Sequence, residues 1–267
     1  MLRFALDGTT VRTHRVESAV LGDWLRAFQN AVQSVAYALD ELRPTRDAGP
    51  VPKDVQRATK LFSGVVFASS YGMVLEGVSE EEAEHLPSTG ADALLDRAIN
   101  RLFDVADRAS SGADAGDAVL DAALPLGRRA ITHLTELSDV LASTGTGVTL
   151  SWESKATIRR TSSLSAESAD RCRKVLRAAE VEDTDNRLVG TVVGGSTLRG
   201  FIELDLAEEG VVIVRAPKDH VTGLLAAYTE REVVADVREL TARSAGGRVH
   251  RSYLLLDLSL NEDAAEE

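Results

Sequence analysis

VGTVVGGSTLRGF, residues 189–201, places four glycines, a Ser-Thr pair and one arginine between two apolar runs. A loop that cradles phosphate needs a helix N-terminus directly after its glycines, because the helix amides bind the anion. Here the glycines lead instead into Phe201 and then Ile202, Leu204 and Leu206 in strict alternation, with no Gly-Lys-Ser/Thr step. Alternation is the period of a strand, so the stretch reads as a hairpin: RLVGTVV a strand, GGSTLRG its turn, FIELDL the returning strand.

Working outward, EEG turns into VVIVRA, a third strand, and Asp219 caps a short helix carrying Val221, Leu224, Leu225 and Tyr228. REVVADVREL is a fourth strand and SAGG a turn. RSYLLLDLSL is a fifth strand, with Leu254, Leu256, Leu258 and Leu260 on one face. Five strands with a helix between the third and fourth resemble an OB-type barrel over residues 187–260; a small open sheet with one helix is the competing layout.

Upstream, the patterns alternate between strand and helix. Leu2, Phe4 and Leu6 alternate, Asp7-Gly8 is a two-residue turn signal, and TTVRTHRV returns as a hairpin. Apolar residues from Trp24 to Leu42 recur three or four apart, which predicts a helix over 18–42, and a short helix is expected at 53–62. Residues 63–78 read as one long strand, or two with a break near Ser70. SEEEAEHLPSTG reads as an acidic surface loop, 90–109 as a helix and SSGADAGD as a connector. A helical stretch over 117–143 restarts at Pro125. TGTGVTLSWES and KATIRRTSS form a second hairpin, 165–180 is a helix, and EDTDN is a polar hinge. The expected fold class is α+β: a mixed helix and hairpin domain over 1–163, a linking helix and hinge over 164–186, the barrel-like domain, and an acidic tail over 261–267.

Composition bounds the function. The 267 residues are 44% hydrophobic and 27% charged, as in globular domains, but only 4% aromatic, so Leu, Val and Ala must build the core. No run of 18 apolar residues and no basic-then-apolar leader are present, and Cys172 is the single cysteine, so a cytoplasmic, disulfide-free protein is expected. Cys172 falls on the stripe Ala169, Cys172, Leu176, Ala179 and reads as a small core hydrophobe. Arginines outnumber lysines 25 to 5, which reads as the codon usage of a GC-rich bacterial genome. Net charge is -12, spread as +2 over 1–60, -9 over 61–150, +1 over 151–187 and -6 over 188–267, so no basic stripe for nucleic acid stands out.

Few residues are arranged for chemistry. His14, His85, His133, His220 and His250 are scattered, with no His-x-x-x-His or Cys-x-x-Cys pair, so no metal site and no cofactor are expected. ASSYG, 68–72, imitates a serine nucleophile elbow but lacks the doubly wound sheet that such an elbow requires. IRRTSS, 158–163, has the look of a basophilic kinase site and reads as an exposed strand. RRAITH, 128–133, contains Arg-x-x-x-x-His in a helical stretch and resembles the motif of HEPN ribonucleases, helical bundles that usually dimerise. That resemblance implies Arg128 on phosphate charge and His133 in proton transfer at the ribose 2′-hydroxyl or the leaving oxygen. The family often places Asn, Asp or His after the arginine, where this chain has Arg129. In the competing reading, Leu126, Ala130, Leu134, Leu137 and Leu141 simply face a core.

If the C-terminal part is an OB-type barrel, its ligand loops carry Arg199 and then Arg243, Arg248 and His250, with Phe201 and Tyr253 as the strand aromatics. Three functions are expected from these residues. The first is a non-enzymatic interaction or adaptor protein in a bacterial cytoplasmic assembly, binding another protein or itself and no membrane. It predicts a large apolar patch on the N-terminal domain. The second is a nucleic-acid or nucleotide-binding regulator using the arginine loops. The third is the HEPN-like ribonuclease using Arg128 and His133.

Overall fold

The computed structural model describes residues 1–12, 14–40, 49–67, 70–78, 94–112, 115–154 and 157–261. The acidic loop over 79–90, including His85, and all but the first residue of the acidic tail lie outside the described residues. The chain is mixed α+β and divides into two compact units, Met1–Ala179 with Ser244–Arg248, and Glu180–Arg243 with Val249–Glu267.

In the first unit the strands are β1 (Leu2–Gly8), β2 (Val11–Arg12), β3 (Arg15–Val16), β4 (Phe62–Phe67), β5 (Tyr71–Glu76), β6 (Thr146–Trp152) and β7 (Arg160–Leu164). The helices are α1 (Ser18–Ala38), α2 (Lys53–Ala58), α3 (Leu94–Ser110), α4 (Ala115–Ala123), α5 (Gly127–Ser143) and α6 (Ala166–Ala178). An antiparallel sheet runs β4-β5-β1-β6-β7. The alternation of Leu2, Phe4 and Leu6 does make a strand, but its partners are β5 and β6 rather than the residues just after Gly8. The reason is burial: all three side chains are fully buried, and such a strand belongs at the centre of its sheet. Residues 11–16 form only the small β2–β3 ladder. Gly8, at φ 121°, lets the end of β1 meet the start of β6, since a Cβ there would stand 2.2 Å from the Gly145 carbonyl oxygen.

The inner sheet face carries Phe4, Met73, Leu150 and Trp152, and Trp24 of α1 lies against Phe4 with ring centroids 4.2 Å apart. Two strands, β4 and β5, replace a single long one, with the break where Ser70 was expected to mark it. The restart at Pro125 is a short 3₁₀ turn, Leu124–Leu126, after which Gly127 at φ 79° begins α5. The helix α6 is not a linker: Ala169, Cys172 and Leu176 are buried in the first unit, and a cavity of about 40 Å³ beside Cys172 is lined by Trp24, Phe28, Leu134 and Leu141.

The second unit contains β8 (Glu180–Ser196), β9 (Phe201–Leu206), β10 (Gly210–Arg215), α7 (Lys218–Tyr228), β11 (Glu232–Arg243) and β12 (Val249–Leu260). Pairing closes on itself in the order β10-β12-β11-β8-β9, with β10–β12 parallel and the other pairs antiparallel. Val192, Ile202, Leu204, Val214, Val221, Val233, Ala235 and Val237 form its fully buried centre. EDTDN is not a hinge but part of β8, where residues 182–186 pair with β11. Gly194 and Gly195 likewise belong to β8, and the turn is 197–200 with Gly200 at φ 70°. A Cβ on Gly190 would meet the Asp205 carbonyl oxygen at 2.5 Å, and one on Gly195 the Phe201 carbonyl oxygen at 2.6 Å. Two glycines of this glycine-rich stretch therefore serve the close approach of β8 to β9. A register shift opposite Asp236/Val237 breaks the alternation of β12: Tyr253, Leu255 and Leu258 pack on the core while Leu256 and Leu260 stay exposed. Pro217, not Asp219, is the residue at the N-cap of α7.

Candidate functional site

Arg128 and His133 lie on α5, five residues apart, which is about 140° around a helix. Arg128 is exposed, whereas His133 is partly covered and its Nδ1 is 2.8 Å from Glu136 Oε2. The α5 stripe of Ala130, Leu134 and Leu141 is buried, and the helix packs in a sheet-containing unit rather than an all-helical bundle. Ser70 follows β4 and uses its carbonyl oxygen to accept the His14 N–H at 2.6 Å. Burial pushes the Cys172 thiol up from its ordinary pKa, so it stays protonated and packs as a hydrophobe. Among the described residues no group of three or more His, Cys, Asp or Glu is placed to hold a metal ion.

The arginines of the C-terminal turns do not come together. The register sets Arg243 opposite Glu180, at the start of β8, while Arg199 lies in the turn after the end of that strand. Arg248 stays near Arg243, since the Ser244 N–H donates to its carbonyl oxygen at 2.8 Å. The two groups of arginines thus lie at opposite ends of the closed sheet. At the Arg199 end, Phe201 pairs with Arg215, the Ala216 N–H donates to the Gly200 carbonyl oxygen at 3.0 Å, and Lys218 packs beside Gly200. At the other end, Arg251 bridges Glu209 at 3.1 Å and Glu239 at 3.6 Å beside Tyr253, whose phenol burial pushes up in pKa.

Between those ends, β9 and β10 present one outward face. Val211 pairs with Asp205 and Ile213 with Glu203, so two aliphatic side chains and two carboxylates share that surface. Val211 is 59% exposed and Ile213 53%. Reading VVIVRA as an undifferentiated strand hides both. The signal is nevertheless present, because a single closed sheet buries only alternate residues, so a continuous apolar strand must expose its other half. In the first unit, among the described residues, the exposed large apolar side chains are Met1, Phe62, Val65, Val66 and Ile158, with three of the five on edge strand β4. The expected N-terminal patch is therefore a strip along one edge, and the second unit exposes more such side chains.

Two polar clusters of the first unit, one buried around Asp96 and one partly exposed around Arg160, are internally satisfied. Asp96 accepts from Trp152 Nε1 and Ser154 Oγ at 2.5 Å and from Thr157 Oγ1 at 3.1 Å, and Asn100 Nδ2 stands 3.3 Å away. Arg160 donates to Asp104 and Asp107 at 2.8 and 2.7 Å and lies over the Phe103 ring. These contacts tie α3 to the β6–β7 hairpin.

No family model, no curated protein and no solved structure matches this chain.

Proposed function

We propose that the chain is a non-enzymatic binding protein, a subunit of a multi-protein assembly, and that its second unit is an OB-type barrel carrying the contact surface. The ring order and the place of α7 between β10 and β11 support the barrel type: numbered from β8, the strands run first, second, third, fifth, fourth and back to first. The observation that carries the binding reading is the β9–β10 face, where Val211 and Ile213 stand half exposed beside Asp205 and Glu203. Exposed aliphatic side chains rimmed by charge are the composition of a protein contact. No described helix is long and apolar enough to cross a membrane, and the acidic balance does not favour a phosphate-rich partner.

The test is purification of the tagged chain from its own cell, followed by native mass spectrometry. A second protein in fixed stoichiometry, lost on Val211→Lys with Ile213→Lys, is the expected result. A chain that emerges alone, with no protein bound, overturns the reading.

One further arrangement favours a second reading, a nucleic-acid contact at the Arg199 end. There Phe201 offers a ring next to Arg215, with Arg199 and Lys218 around the same turn. Aromatic stacking with flanking cations is how single strands are held. Fluorescence anisotropy of single-stranded RNA and DNA at low salt tests it: binding must appear in the parent and fall with Arg199→Glu.

A further inference from the structure

We infer that the outer edge of β8, centred on Asp185, Arg187 and Val189, is a docking site for an extended basic peptide that adds to the sheet as a strand. The inference rests on the binding reading and names a partner chemistry for the same unit.

The edge arises from the pairing. Along its whole length from Glu180 to Thr191, β8 pairs with β11 on one side. On the other side β9 joins only from Thr191 onward. The Val192 N–H donates to the Arg231 carbonyl oxygen, so even-numbered residues of β8 turn their backbone groups toward β11. Odd-numbered residues, among them Asp185, Arg187 and Val189, turn theirs to the other edge. Arg187 shows what happens there: its N–H is bonded at 2.8 Å to the Asn186 side-chain oxygen instead of to a strand. The segment is also open to solvent, with residues 184–187 all exposed. At about 3.3 Å per residue, Thr184 to Val189 offers a template on the order of 20 Å long.

Charge selects the occupant. Glu180, Glu182 and Asp183 lie on β8 just before that template and Asp185 within it, and Asp236 and Glu239 lie on the paired part of β11. Arg187, Arg238, Arg243 and Arg251 answer only part of that charge, through Arg187–Asp236 at 3.0 Å, Arg238 with Asp183 and Asp185 at 3.5 and 3.3 Å, and Arg251–Glu239 at 3.6 Å, which leaves six carboxylates to four arginines. A second copy of the same edge would bring like charges into register, which is how natural edges refuse self-pairing. A strand with alternating Lys or Arg meets the opposite sign and completes the backbone ladder, the recognition mode of strand addition.

The probe is a fluorescein-labelled ten-residue peptide of alternating Lys and Thr, titrated with the full-length chain by anisotropy, with the matching Glu-Thr peptide as control. Binding of the basic peptide alone is expected, with amide-exchange protection gained at Asp185, Arg187 and Val189. Glu180→Lys with Glu182→Lys should weaken binding at least about tenfold, by a factor that grows as salt is lowered. Arg187→Pro removes an outward N–H that the β8–β11 ladder does not use, and should abolish binding with the circular dichroism unchanged. Binding that survives both variants, protection elsewhere, or no binding of the basic peptide overturns the inference. The binding reading is judged separately. A natural partner that is retained by the Arg187→Pro chain and lost by the Val211→Lys, Ile213→Lys chain leaves that reading standing and removes this one.

Discussion

The two sheets of this protein solve the same problem in opposite ways. The first is open, so it needs helices: α1, α3, α5 and α6 line the cavity against β6 and β7, and a buried carboxylate fastens one helix to the β6–β7 hairpin. The second is closed, so it needs only α7, and half of each apolar strand is left facing out. A sheet covered by helices commits its apolar side chains to stability, whereas a closed sheet keeps a share on its surface, where a partner can use them. Under the proposed binding reading, the polar ties of the first unit serve folding and the outer face of the second serves contact.

The sharpest way to break the contrast is at Asp96. Asp96→Ala leaves the Trp152 indole N–H and two hydroxyls without their acceptor and should cost about 3 kcal/mol in urea denaturation, while leaving partner binding of the folded chain unchanged. A loss of binding at full stability would put function in the first unit. Next is Gly190→Ala, whose Cβ would strike the Asp205 carbonyl oxygen. A loss of about 2 kcal/mol is expected by the same measurement, and no loss would mean that β8 and β9 are not held so close.

The smallest effect is a pH dependence. The Cys172 thiol is raised by burial, so its stabilising contribution is complete below the ordinary thiol value of about 8.5. It is lost as pH rises from there toward the raised native value, because the unfolded thiol ionises first. Stability measured at pH 7 and pH 10 should fall on the alkaline side. Cys172→Ala should cost about 1 kcal/mol at pH 7 yet narrow the gap between the two pH values.

Much of this fold was legible in the residues. The glycine-rich stretch was rightly a hairpin, because period-2 alternation from Ile202 to Leu206 cannot be a helix start. The β6–β7 hairpin and the α5 stripe were equally plain. What failed was long-range. Asp7-Gly8 carries the local chemistry of a two-residue turn, yet three fully buried side chains drew β1 to the centre of its sheet. EDTDN has the composition of a hinge, but polar residues are normal on an exposed sheet edge. A shift of one residue in β12 moved Leu256 from the expected inner row to the surface. For the candidate site, the exposed half of β10 was readable from closure alone. The separation of Arg199 from Arg243 was not, because it depends on which strand pairs with which.

The central place of β1 has a consequence for the chain on the ribosome. Its neighbour on one side is β5, but on the other Gly8 must wait for Thr146 and Leu2 for Trp152. At ordinary synthesis rates of about 5–20 residues per second, that wait is on the order of 10 s. Through it Leu2, Phe4 and Leu6 have emerged and the strand that completes their sheet does not yet exist. Translation therefore delivers Leu2, Phe4 and Leu6 well before the strand that completes their sheet, and the growing chain must shelter them with β5 and α1 until β6 arrives.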